Sequence, residues 1–417
     1  MSKPTRISGQ WWLPTSLNEK WIGALAIKPG KSPRLTVTVP KGHFQLTDPQ
    51  PPPVIHGHDE HGRPITLLFP GWPSSHSAAA ISQMDFTAGY AILGVQLPNA
   101  VDLNVHNLSF GVQHLHEWTQ ISGFIRHEHD TGIESHIHHK HPEDQSFTLT
   151  PGLSLTLSGT TSGHTTMSER VLREDVCIAF ESDSELGLAR VNELVTAVRQ
   201  LLHFAVLKPV YPMWLSVGRT DYGVTIEGRF RPHEVKVWNS LFRERVKSEI
   251  EEGRWVFRFS DIRAHFGQFF ADWLSFCERH GEALRCYSTT IYHSLPDSVQ
   301  HLCLAQALEA YHGTKFGNAY FATRVQSLAQ QFLPHLTGLV SDPTAFAEQV
   351  RDNHNYYTHH DPAIKQAGRV LSGANLLRLN EKLKLIFQMC VLTEMGIPAD
   401  RFARLRRQLA TFIIDYT

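Results

Sequence analysis

The sequence is poor in the features that mark several protein classes. Its five cysteines (Cys177, Cys277, Cys286, Cys303 and Cys390) are scattered, and no two are spaced Cys-x-x-Cys. This pattern gives no disulfide framework and no structural zinc site, and it fits reduced thiols in a cytoplasm. No apolar run approaches the roughly 18 residues that span a bilayer. The first ten residues lack the apolar stretch of a signal peptide. Charge of one sign is also missing: 39 Lys plus Arg against 40 Asp plus Glu leave a net −1 with histidine neutral. Such a chain does not coat nucleic acid or an anionic membrane by bulk charge, although a local basic cleft stays open to it. There is no internal repeat and no low-complexity tract.

What is present is length and a change of texture along it. At 417 residues the chain can hold two or three cores. Short alternating or β-branched runs fill the first part: Trp21–Ile27, Leu35–Val39, Pro64–Phe69, Tyr90–Leu97, 147–150 and Leu153–Leu157, with proline and glycine breaks between them. They predict a β-rich sandwich or distorted barrel over 1–180. A mixed region over 181–292 is expected to pack on it, with helices over 186–204 and 266–280. From 293 to 417 the apolar spacing is helical throughout, over 299–311, 320–333, 376–394 and 401–414, and predicts an antiparallel bundle. The fold class expected is α+β and multidomain.

The densest chemistry lies in Arg351-Asp-Asn-His354-Asn355-Tyr356-Tyr357-Thr-His359-His360-Asp-Pro362. Asp342-Pro343 upstream reads as an N-cap and first helical residue, and Asp-Pro at the end reads as a turn. On a helix His354 and His359 stand about 140° apart. Arg351 is one turn before His354. Two imidazoles and a guanidinium suit metal-independent phosphodiester chemistry: one imidazole takes a proton from a hydroxyl, the other protonates the leaving oxygen, and the guanidinium forks onto the phosphate. The plainer alternative is a wet helix end.

This segment resembles the active-site helix of HEPN-type ribonucleases. Their signature is an arginine, usually followed by Asn or another polar residue, and a histidine after four to six intervening residues. Asn355-Tyr356, Thr358-His359 and Asp361-Pro362 match the HEPN domain of ApeA-like abortive-infection proteins most closely, and Leu304–His312 and Phe321–Leu328 resemble its first two helices. Gly9-Gln-Trp-Trp-Leu-Pro14, Ile22-Gly-Ala-Leu, Ile55-His-Gly57, Ile65-Thr-Leu67 and Trp118 are similar to the ApeA N-terminal domain. One departure stands out. Aligned on Asn355 and His359, the family's arginine falls at His354, while seven residues separate Arg351 from His359, one beyond the usual window. His354 could replace the arginine, Arg351 could reach from the preceding turn, or the site could be silent.

The resemblance implies an anti-phage effector of a bacterial cytoplasm, cutting RNA, plausibly tRNA, without metal or cofactor. Attack by the 2′-hydroxyl would leave a 2′,3′-cyclic phosphate. A phage-encoded trigger protein, a homodimer through the HEPN domain and no membrane partner follow from it. His359, His354, Arg351 and Asn355 are the expected catalytic residues, and both His359→Ala and His354→Ala are expected to lose cleavage. Glu309, His312, Tyr356 and Tyr357 are the expected supports, with Glu309 able to pair with Arg351 or orient a histidine. Arg404 and Arg407, on a basic terminal helix face, could hold RNA phosphates. The rival is a catalytically silent HEPN-like bundle that binds nucleotide or protein. A second rival is a metal-dependent hydrolase built on the His-rich loop 127–141, whose spacing can bind zinc or nickel but reads first as an adventitious surface hairpin. His56, His58 and His61 are expected in a surface turn.

Overall fold

The computed structural model describes residues 5–40, 51–77, 81–99, 103–128, 135–168, 170–219, 222–226, 229–245, 250–251 and 254–407. The chain divides into two compact units, 1–199 with 210–249 and 200–209 with 250–417. The stretch 181–292 is therefore shared: 210–249 belongs to the first unit and 250–292 to the second.

The first unit begins with β1 (Thr5–Trp12), β2 (Trp21–Ile27), β3 (Arg34–Pro40), β4 (Val54–Asp59), β5 (Pro64–Pro70), β6 (Ser74–Ser77) and β7 (Ile81–Leu93). All pairings among them are antiparallel. β7 lies against β3 over 81–87 and against β5 over 88–93, so β7-β3-β2-β1-β4-β5 closes into a six-stranded barrel. Closure leaves no free edge. Strand β3 shows why the chain folds this way: Leu35, Val37 and Val39 point inward and are buried, while Arg34, Thr38 and Pro40 face out. Trp11, Leu25, Ile55, Leu67 and Phe86 fill the interior.

The motifs that resemble the ApeA N-terminal domain meet in this barrel. Trp11 stands opposite Gly57 and Trp12 opposite His56 in the β1–β4 ladder. A Cβ on Gly57 would come within 2.3 Å of the Trp11 ring, so only glycine lets the indole lie flat across β4. Thr66 of Ile65-Thr-Leu67 is fully buried; its hydroxyl donates to the Val95 carbonyl and accepts from the Leu97 amide, both at 2.9 Å. His56 and His58 are not in a turn but in β4. The Nε2 of His56 lies 2.8 Å from the Leu97 carbonyl, and both rings meet Trp12 edge-on.

A second run of strands continues from β7. It comprises β8 (Val105–Val112), β11 (Gln145–Thr150), β12 (Leu153–Thr165), β13 (Arg170–Leu186), β14 (Pro212–Gly218) and β17 (Val235–Trp238), in the order β11-β12-β13-β8-β14-β17-β7. Two small hairpins, β9 (Phe124–Glu128) with β10 (Ser135–His139) and β15 (Gly223–Ile226) with β16 (Arg229–Pro232), stand apart. Helix α1 (Leu115–Thr119) buries Trp118, and α2 (Leu188–Val206) runs from the first unit into the second.

The second unit is helical: α3 (Phe259–Ile262), α4 (Phe266–Arg279), α5 (Gly281–Tyr292), α6 (Asp297–Phe316), α7 (Phe321–Gln331), α8 (Pro343–His359), α9 (Pro362–Gln366) and α10 (Gly373–Glu394). Its core stacks Phe204, Tyr287 and Phe387, with ring centroids 5.5 and 4.8 Å apart. A buried polar chain crosses that core: Gln388 donates to the Tyr287 hydroxyl at 2.7 Å, Tyr287 lies 3.0 Å from His203 Nε2, and His203 Nδ1 lies 2.9 Å from the Lys208 carbonyl. Every member is satisfied, which is what lets polar groups sit there. The expectation of an all-antiparallel bundle needs correction. α7 and α8 are antiparallel, with Gln326 bonded to Thr344 and Phe321 against His354. α6 and α10 run parallel, because Asn380 bonds the Asp297 carbonyl while Glu394 accepts from Tyr311. The intervening α7–α8–α9 excursion returns the chain to the same end. No helix among the described residues is long and apolar enough to cross a membrane.

Candidate active site

Helix α8 begins as its sequence predicts: the Asp342 carboxylate accepts from the Thr344 and Ala345 amides, with Pro343 in the first turn. It ends at His360, whose backbone is left-handed (φ 53°) and whose amide bonds the Tyr356 carbonyl. Asp361-Pro362 does not make a plain turn. Asp361 caps α9, accepting from the Ala363 amide, with Pro362 at its first position.

One side of α8 is anchored. Phe346, Val350 and Asn353 are buried, and the Tyr357 hydroxyl donates to the Leu371 carbonyl at 2.5 Å. The outer side carries Arg351, Asn355 and His359, spaced i, i+4 and i+8. That spacing lays them along about 80° of arc over about 12 Å of axis, on the side facing away from Val350 and Asn353. His359 is exposed, and Arg351 and Asn355 are half-buried. His354 is turned elsewhere: its ring packs 4.8 Å from Phe321 of α7. Helix geometry thus lays His359, Arg351 and Asn355 along the outer side, while the His354 ring is turned toward α7.

Two residues absent from the sequence-level site complete it. Asp352 is 5% exposed, and one carboxylate oxygen accepts from Arg351 Nε and Nη2 at 3.0 and 2.8 Å while the other accepts from Arg369 Nη1 at 2.9 Å. Asn353 is fully buried, accepts from the Leu371 amide at 2.7 Å and donates to the Gln349 carbonyl at 2.8 Å. It fixes the 369–371 segment against α8. The identity of Asp352 was visible as a polar residue after an arginine, but nothing local pointed to Arg369.

The expected supports lie elsewhere. Glu309 faces Arg324 of α7 at 3.5 Å instead of Arg351, and Arg324 also bonds the Glu309 and Ala319 carbonyls. His312 is buried against Phe316, and its Nδ1 has no partner among the described residues. Tyr356 packs edge-on against Tyr357 and His360. Arg404 donates to the Trp255 carbonyl, which ties the terminal turn to the core. Arg407 is exposed and makes other contacts. In the His-rich loop, residues 129–134 lie outside the described residues. His139 Nε2 is 2.8 Å from Glu174, which also accepts from Ser122 and Gly123. Burial opposes that carboxylate's charge, but these bonds hold it below the usual range. No group of three or more metal-ligating side chains occurs among the described residues.

Beneath the site, His301 of α6 is fully buried; its Nδ1 lies 3.0 Å from Asn380 Oδ1 and its Nε2 3.4 Å from the Val350 carbonyl. Burial, with a smaller contribution from His354, drives its pKa down to about 4. Burial lowers His280 and His312 too. A histidine held below its unfolded value near 6.5 binds fewer protons in the folded state. Its stabilisation is therefore complete above pH 6.5 and is lost as pH falls toward 4. Urea unfolding should show His301 alone removing about 2 kcal/mol between pH 7.5 and pH 5, and His301→Gln should flatten that slope. Equal stability at the two pH values would contradict this.

Comparison with known families agrees with this architecture. The ApeA N-terminal domain 1 family matches residues 6–273, and Apea-like HEPN matches residues 302–401. Neither a curated relative nor a solved structure matches the chain. The first match takes in the six-stranded barrel and its continuing sheet, and the second takes in α7 to α10, most of α6 and the Arg351–His359 stripe. The chain belongs to the ApeA-like family, a barrel-bearing N-terminal domain joined to an Apea-like HEPN domain.

Proposed function

We propose that this ApeA-like chain is an abortive-infection ribonuclease that cuts RNA, plausibly tRNA, along the Arg351–Asn355–His359 stripe of α8, without metal. The stripe itself carries the reading: an arginine, an amide and a histidine line the outer side of a helix whose other side is anchored. HEPN domains are generally ribonucleases. In the reaction the 2′-oxygen bonds to phosphorus and loses its proton to an imidazole. The bond from phosphorus to the 5′-oxygen breaks, and that oxygen takes a proton from a second acid. The Arg351 fork holds the phosphate oxygens as charge builds.

A single stripe offers one histidine. Two copies of α8 set antiparallel about a two-fold axis at Asn355 place Arg351 opposite the partner's His359, since both lie four residues from the centre. A homodimer through the HEPN domain in this way builds two composite sites, each joining one chain's Arg351 to the other chain's His359, with solvent water as the second acid. The barrel-bearing unit holds the nuclease off until a phage product is sensed in a bacterial cytoplasm.

The test is total tRNA incubated in EDTA, with lysate of phage-infected cells supplying the trigger. Wild-type protein should give fragments ending in 2′,3′-cyclic phosphate, and His359→Ala should not. The rival of a non-cutting binder draws on one observation, the occupation of the Arg351 fork by Asp352. Wild-type protein that leaves tRNA whole in every condition would favour it.

A further inference from the structure

Arg369 lies outside the helix that carries the stripe, yet its position is tightly set. It follows α9 in a turn whose Gly368 is left-handed (φ 68°). The Gly368 amide bonds the Lys365 carbonyl at 3.0 Å, and the Arg369 amide bonds the Ile364 carbonyl at 3.2 Å. These two bonds form a Schellman turn, which fixes where the residue after the glycine points. Two residues further on, Asn353 and Tyr357 grip both backbone groups of Leu371. The Arg369 side chain then reaches α8 and meets Asp352, which stands seven residues before His359 and so on the same side of the helix.

Asp352 needs one arginine to neutralise it and has two. Arg351 spends Nε and Nη2 on one carboxylate oxygen, while Arg369 gives Nη1 to the other and remains 52% exposed along its side chain. The trio carries one surplus positive charge on the side of α8 that holds His359. A surplus guanidinium, half in solvent and fixed in direction, is shaped for an anion that offers two oxygens. Arg404, in contrast, is committed to a backbone carbonyl.

We infer that Arg369 is a second phosphate-binding residue of the RNA site, and that Asp352 is the positioning residue that yokes it to Arg351. The inference rests on the ribonuclease reading above. When RNA arrives, a backbone phosphate shares the two forks that converge on Asp352, so the chain grips the strand at two guanidinia although the family motif supplies one.

The experiment measures binding of a 2′-O-methyl RNA oligonucleotide, which keeps the phosphates and lacks the attacking hydroxyl, to the full chain across a salt series. Arg369→Ala should weaken binding roughly tenfold, as for loss of a charged hydrogen bond. It should also reduce the log–log salt slope by about 0.7, one phosphate contact to a single strand. Arg369→Lys should restore the slope and only part of the affinity, since a point charge replaces a fork. With cleavable RNA, Arg369→Ala should raise KM and change kcat little, at an unaltered melting temperature. Wild-type affinity and slope in Arg369→Ala, beside a wild-type protein that binds and cuts, would overturn the role of Arg369 and leave the ribonuclease reading standing. A wild-type protein that neither binds nor cuts RNA would overturn both.

Discussion

Replacing His359 with alanine should lower RNA cleavage by roughly 10²- to 10⁴-fold, the share that one positioned acid or base contributes, and leave thermal stability unchanged. The side chain is exposed in the last turn of α8, so its removal opens no cavity. His354→Ala should behave in the opposite way. Its ring packs on Phe321, and losing an aromatic contact costs about 0.5–1.5 kcal/mol of stability. Cleavage should fall far less than with His359. The expectation from sequence treats the two histidines as equals. Parallel rate and melting measurements on both variants decide it; equal loss of cleavage in the two would restore His354 to the site.

Asn353→Ala carries the largest stability change expected near the site, about 2–3 kcal/mol. The residue is fully buried and accepts from the Leu371 amide while donating to the Gln349 carbonyl. Alanine strands the Leu371 amide, an unmet group that costs about 1–3 kcal/mol, and empties a buried side-chain site, while the Gln349 carbonyl keeps its helical partner, the residue-353 amide. The same change releases the segment that holds Arg369 beside Asp352, so RNA affinity should fall with stability. Urea midpoints measure the first and oligonucleotide binding the second. A midpoint within error of wild type would show that the 369–371 segment is held by something other than Asn353.

Local chemistry made part of this structure legible. Asp342-Pro343 marked the start of α8, and alternation in Leu35–Val39 and Leu153–Leu157 marked β3 and the first half of β12. β7 was harder to read. The apolar run suggested a strand from Tyr90 to Leu97, but the strand spans Ile81–Leu93 and begins among polar residues. Asp85 can sit there because Arg34 and Thr36 across the β3 ladder bond its carboxylate and hold it below the usual range against the pull of burial. Those partners are about fifty residues away, beyond any local pattern. The candidate site divides the same way. Its stripe is written in the spacing 351, 355, 359, whereas the motif aligned on Asn355 puts His354 at the arginine position. Asp352 and Arg369 become a pair only when the Schellman turn after α9 folds back onto α8.

The stripe and its pairing across a two-fold axis can be tested in one measurement: tRNA cleavage in EDTA, with trigger lysate present, by Arg351→Ala, by His359→Ala and by an equimolar mixture of the two. Each variant alone should retain about 1% of wild-type cleavage or less. In the mixture, half of the dimers are mixed, and each mixed dimer regains one of two composite sites, so cleavage should return to about a quarter of wild type. Single variants that cut at the wild-type rate would contradict the stripe, and a mixture no more active than its parts would contradict a site shared between two chains.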